Sequence, residues 1–176
     1  MNKAIYFNND TQSKCRCTGQ LYYDFLDYAF SRADYFMLVY VNYYGKGYTK
    51  KQKYFKNALE KFKVRSRSNP SWPGTLKTFA HDTTYKVVFY RTEEAAKIIL
   101  KEVAGLNEWT RGMPEDLAFF KGNQCWFYSV GHENIAAIIH ANTDDIDFLV
   151  SIGLAKKENV FVPNDDYFAA YNEILE

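Results

Sequence analysis

The sequence predicts an α+β fold in a single domain spanning residues 1–176. Three observations carry that expectation. Two aromatic runs, Leu117–Phe120 and Cys125–Val130, flank a polar insert containing Gly122-Asn123, which suits a β-hairpin closed by a tight turn. Residues Tyr35 to Tyr44 are almost all β-branched, apolar or aromatic, as a buried strand requires. Other segments repeat apolar residues at helical spacing, without strict strand–helix–strand alternation. The expected architecture is therefore a mixed or antiparallel sheet with a central hairpin, residues 117–130, packed against several helices.

Taken in order, Ala4–Phe7 reads as a short strand or a staple and Asn8–Gly19 as a polar loop. Leu21, Phe25, Tyr28 and Ala29 share one face of a helix over Gln20–Ala33. A buried strand occupies Asp34–Tyr44 and stops at Gly45-Lys46-Gly47. Thr49 is placed to cap a helix running to about Phe62. Residues 63–81 read as an irregular loop, because Pro70, Pro73 and Gly74 lie close together around Trp72. Thr83–Tyr90 alternates like a strand. Thr92, with Glu93 and Glu94, then opens a helix that continues to Gly105. After the hairpin, Glu133–Ile139 reads as a helix. Thr143 caps a further helix to Ile152, Val160–Val162 forms a strand, and a last helix runs from Asn164 to Leu175.

A chain of 176 residues with 47% hydrophobic and 18% aromatic content has material for a sizeable core, which excludes a disordered chain. The net charge of +1 excludes a strongly acidic nucleic-acid mimic and a wholly basic nucleic-acid coat. The longest apolar runs are far short of a membrane span, and the first residues lack the apolar core of a signal peptide. A cytoplasmic protein with no membrane contact is the expectation. The odd number of cysteines, Cys15, Cys17 and Cys125, argues against a disulfide framework. Cys15 and Cys17 have no matching second pair for structural zinc. No metal and no cofactor are expected.

Four groups of residues are candidates for function. A basic segment, 46–67, interleaves Lys50, Lys51, Lys53, Lys56 and Lys63 with aromatic residues, a pattern that can hold phosphates and stack bases. The same pattern describes a solvated helix face with its aromatics turned inward. An irregular loop carries Arg65, Arg67 and Trp72, residue types that anchor interfaces. Glu115 and Asp116 lead into the hairpin. His132-Glu133 follows it and falls short of a metalloprotease motif, because Ala136 stands where the second histidine belongs. Acids of the last third, among them Asp144, Asp145, Asp165 and Asp166, sit where helix N-termini favour negative charge.

The run Met113–Phe120, followed by Trp126–Glu133, resembles a pattern of small bacterial cytosolic proteins, without pointing to a named family. There is no phosphate loop, dinucleotide fingerprint or nucleophile elbow. The reading that follows is a non-enzymatic binding protein of bacterial or phage origin. It would dock a macromolecular partner, most simply a protein, in the manner of an immunity or inhibitor protein. Binding would run through Arg65, Arg67, Trp72, Glu115, Asp116, His132 and Glu133. Two alternatives stand beside it: nucleic-acid or nucleotide binding through residues 46–67, and a small hydrolase-type enzyme using His132 and Glu133.

Overall fold

The computed structural model describes residues 2–8, 16–75 and 80–164. Eight strands form one open antiparallel sheet: β1 (Lys3–Tyr6), β2 (Tyr35–Asn42), β3 (Lys63–Ser68), β4 (Thr84–Arg91), β5 (Glu115–Lys121), β6 (Gln124–Val130), β7 (Ile135–Ala141) and β8 (Val160–Phe161). Their order across the sheet is β3-β4-β2-β5-β6-β7-β1-β8. The four helices among the described residues are α1 (Gln20–Arg32), α2 (Lys50–Leu59), α3 (Glu94–Leu100) and α4 (Thr143–Ser151). The fold is α+β, with the hairpin β5–β6 at the middle of the sheet.

All four helices lie on one face. Phe25 and Leu26 of α1, Phe55 and Leu59 of α2, Leu100 of α3 and Leu149 of α4 share a core with Phe36, Leu38, Tyr40, Val88, Phe119 and Ile138 of the strands. Strand alternation sends the intervening residues to the opposite face. There Met37, Val39, Val41, Phe89, Ala118, Phe120 and Ile139 form a second apolar cluster, which includes Trp72. Both faces of the central strands are thus apolar, which accounts for the unbroken run of β2.

The hairpin turn follows its sequence signal. Lys121 pairs with Gln124, and Gly122 takes the first loop position with φ 55°. A bulge breaks the simple alternation along β6. Phe119 pairs with Phe127 but Phe120 with Cys125, leaving Trp126 as the extra residue. Trp126 and Phe127 both join the helix-side core, while Cys125, Tyr128 and Val130 face the other way. Strict alternation from Cys125 predicts Phe127 on the wrong side.

Two expected elements are corrected. Residues 63–81 are not irregular throughout, because Lys63–Ser68 forms β3 at the edge of the sheet. Its Lys-Val-Arg-Ser-Arg-Ser sequence has one apolar residue, and a charged, exposed edge strand leaves no apolar pattern to read. Residues 133–139 do not form a helix. Gly131–Glu133 is a 3-10 turn, Asn134 is left-handed at φ 55°, and Ile135–Ala141 is β7. A short apolar run rich in alanine fits a buried strand as well as a helix, and pairing with β6 and β1 decides it.

Smaller shifts concern helix ends. Thr49 caps α2 through a full capping box with Gln52, and the helix gives way to a 3-10 turn at Glu60–Phe62. Asn142, not Thr143, caps α4, with Asp145 completing its box. Thr92 does not cap α3; its hydroxyl donates to Ala33 O at 2.6 Å, and α3 ends at Leu100 rather than Gly105. The final helix expected from Asn164 lies almost wholly outside the described residues, as does Cys15. No helix among the described residues is long and apolar enough to cross a membrane.

Candidate functional site

A cleft of about 560 Å³ opens on the face of the sheet away from the helices. It is built where several chain segments meet. The turn after β2 supplies Tyr43, the loop after β3 supplies Trp72, and the turns flanking the hairpin supply Arg111 and His132. Tyr85 from β4 forms the remaining wall, and Glu115 with Asp116 forms the floor.

The Trp72 loop is fixed to the sheet. Trp72 and Thr75 exchange backbone hydrogen bonds at 3.3 and 2.9 Å. Between them Gly74 sits at φ 83°, where an added Cβ would lie 2.7 Å from the Tyr128 ring. Only glycine allows this turn to lie flat on β6. Trp72 is 4% exposed, so its ring packs against the sheet rather than projecting into solvent.

Asp116 ties the loop to the hairpin. Its side chain accepts from Trp72 Nε1 at 2.8 Å, from the Gly131 amide at 2.9 Å and from Thr75 Oγ1 at 3.5 Å. Its own backbone is left-handed, φ 57°, and its amide donates to Trp109 O at 3.1 Å. The same carbonyl would lie 2.3 Å from a Cβ at Gly131, so a side chain is excluded there. Burial pushes the Asp116 carboxyl above its ordinary range, against the pull of the Gly131 and Trp72 hydrogen bonds.

Glu115 is 7% exposed. One oxygen accepts from the Tyr43 hydroxyl at 2.6 Å, and the other accepts no hydrogen bond among the described residues. Burial raises its pKa and the neighbouring Asp116 charge adds to the rise, while the Tyr43 hydrogen bond, His132 and Arg111 act in the opposite direction. The Arg111 guanidinium stacks 4.6 Å from the centre of the Tyr43 ring. Burial and the bond to Glu115 raise the Tyr43 phenol well above its usual range, so it stays a donor.

A second hollow of about 600 Å³ adjoins the cleft, sharing Ala80 and Tyr85 with it. Ser68, Asn69, Pro70 and Thr84 line it, with His81, whose Nδ1 is 2.7 Å from the exposed Asp82 carboxylate. It is similar in size to the first, yet no buried charge lines it. The chemistry is concentrated in the first cleft.

Of the residues singled out from sequence, Trp72, Glu115, Asp116 and His132 therefore converge. Glu133 is exposed and lies beside His132, 3.6 Å from its Nε2, but does not line the cleft. Arg65 and Arg67 lie on the edge strand, and Arg65 borders a separate small hollow with Tyr35, Phe89 and Asn123. Sequence reasoning missed Tyr43, Tyr85 and Arg111. Arg111 stands four residues before Glu115, which was the available signal.

The basic segment is split between two elements. Lys50, Lys51 and Lys53 are exposed on α2, while Gln52, Phe55 and Leu59 face the core. Lys56 lies over the Tyr48 ring at 5.3 Å, and Lys63 pairs with Glu60. Cys17 and Cys125 are buried and form no disulfide among the described residues, and burial pushes the Cys125 thiol far above its ordinary range. Among the described residues no three His, Cys, Asp or Glu side chains are grouped to hold a metal ion.

The fold and site define an α+β protein with an aromatic-walled cleft over a pair of buried acids. No protein-family model, curated protein or solved structure matches the chain.

Proposed function

We propose that this is a non-catalytic docking protein of the immunity or inhibitor kind, acting in the cytoplasm. It holds a macromolecular partner, most simply a protein, against the cleft. The observation that supports this reading best is the way Asp116 is used. Both of its oxygens are taken up by donors from its own scaffold, Trp72 and Gly131, so it braces the site rather than moving a proton. The cleft lining includes two tyrosines, a tryptophan and an arginine, residue types that carry interface energy. The two described thiols, Cys17 and Cys125, are buried outside the cleft.

Co-purification tests the reading. The tagged protein is expressed in its source cells and its stoichiometric partners are identified, alongside a Tyr85→Ala variant of the cleft wall. A partner retained by wild type and lost by the variant supports docking through the cleft. No stoichiometric partner, or one bound equally by both, sinks it.

A hydrolase-type reading keeps one observation in its favour: imidazole and carboxyl groups do share the cleft. His132 nonetheless stays largely exposed and nearest to Glu133. Hydrolysis of generic ester, amide or phosphate substrates, lost in His132→Ala, is the result that would replace docking by catalysis. Nucleic-acid binding through Lys50, Lys51, Lys53 and Lys56 is checked by a salt titration with an oligonucleotide.

A further inference from the structure

We infer that the cleft is a receptor for a cationic side chain, arginine or lysine, presented by the protein partner. The inference rests on the docking reading and names the group that anchors it.

Three acids are buried among the described residues, Glu115, Asp116 and Asp145. Asp145 has the Arg32 guanidinium 4.0 Å away. Glu115 and Asp116 make no ion pair among the described residues. A buried carboxylate without a cation is costly, and a ligand that supplies one recovers the lost attraction. Asp116 cannot accept it readily, because its oxygens already hold Trp72, Gly131 and Thr75. Glu115 can. It is more than nine-tenths buried, it lines the cleft, and one of its oxygens has no hydrogen-bond donor among the described residues.

The walls suit the same guest. Tyr43, Trp72 and Tyr85 turn aromatic surface toward the space above Glu115. Aromatic faces attract a desolvated cation and accept the alkyl stem of arginine or lysine. Tyr43 already shows the contact, with Arg111 stacked on its ring. Arg111 and His132 at the rim oppose an incoming positive charge and favour a guest flanked by carbonyl or carboxylate groups, as a side chain on a peptide is. A bare anion meets Glu115 and Asp116 at the floor and is repelled.

N-acetyl-arginine amide and N-acetyl-lysine amide are the probes, titrated by calorimetry and by intrinsic tryptophan fluorescence. Acetate, inorganic phosphate and guanosine monophosphate are run beside them. The expected result is saturable binding of at least one cationic amide, weakened at least about tenfold by Glu115→Gln, a difference of 1.4 kcal/mol. Circular dichroism confirms that the variant is folded. Arg111→Gln removes the competing rim charge without touching the floor, and is expected to tighten cation binding severalfold. No saturable binding of either amide overturns the inference, as does preference for phosphate or the nucleotide, or unchanged affinity in folded Glu115→Gln. A partner retained by co-purification when neither amide binds refutes this anchor and leaves docking intact. Amide binding without any partner supports the cation site and removes the docking reading.

Discussion

Asp145 and Asp116 are set in two regions of the molecule by similar bonds. Each accepts an indole N–H, from Trp126 at 3.2 Å and from Trp72 at 2.8 Å. Each also accepts a backbone amide, Asn142 at 3.0 Å and Gly131 at 2.9 Å. Around Asp145 the scaffold goes further. The Tyr28 hydroxyl donates at 2.8 Å, and the Arg32 guanidinium lies over the Tyr28 ring, at 4.0 Å from the carboxylate. Its negative charge also sits in the first turn of α4, where the helix dipole favours it. Asp116 pairs with no cation and sits at no helix N-terminus among the described residues, and Glu115 beside it adds a second acid. The contrast teaches that one hydrogen-bonding pattern can serve opposite ends. With its charge balanced, the aspartate joins α4, α1 and β6. Beside the cleft, with no cation paired to it among the described residues, the aspartate holds the Trp72 loop to the hairpin.

The comparison can be broken first at the two tryptophans. Trp126→Ala removes a ring from the principal core and is expected to lower stability by about 3–5 kcal/mol. Trp72→Ala lies on the outer face, where the loop can close in, and is expected to cost about 2–3 kcal/mol while abolishing cleft binding. Urea unfolding of both variants measures this. Equal losses would make the cleft as structural as the helix-side tie.

A smaller effect lies in pH. The carboxyls of Glu115 and Asp116 have ordinary values of 4.5 and 3.8, and both are raised in the folded protein. The native state then holds protons that the unfolded chain has released, so this contribution falls as pH rises through the window above those values. Glu115→Gln removes the Glu115 share. The variant's urea midpoint is expected to gain on wild type as pH goes from 4.5 toward neutrality, and the opposite trend would contradict the charge state assigned to the cleft floor.

The smallest change is Tyr43→Phe. It deletes the 2.6 Å bond to Glu115 and is expected to lower stability by about 0.5–1 kcal/mol. Because that bond pulls the Glu115 pKa down, its loss moves the pKa further up and extends the declining window to higher pH. Unchanged pH dependence in this variant would separate Tyr43 from Glu115.

Much of the scaffold was legible because its signals are local. Gly122-Asn123 marked the hairpin, Thr49 the start of α2, and the Tyr35 run a strand apolar on both faces. The Asp145 tie was half legible, since a capping acid is read from its neighbours. What escaped depends on pairing. Strand β3 has no apolar pattern, and Ile135–Ala141 becomes a strand through partners on both sides. The bulge at Trp126 turned Phe127 to the unexpected face. The candidate site was legible as residue types only. Trp72 and Asp116 are 44 residues apart, and nothing in the composition of either segment announces the 2.8 Å bond between them. Arg65, Arg67 and Glu133 carried the same kind of signal and lie elsewhere.

The position of β1 has a consequence for how the chain is assembled. Ile5 pairs with Ile138 on one side and with Val160 on the other. The first strand in chain order thus waits for two of the latest described strands, and closing so long a loop slows folding. A nascent chain that stalls before residue 160 would carry Ala4 and Ile5, both wholly buried in the finished sheet, with no strand yet on their outer side.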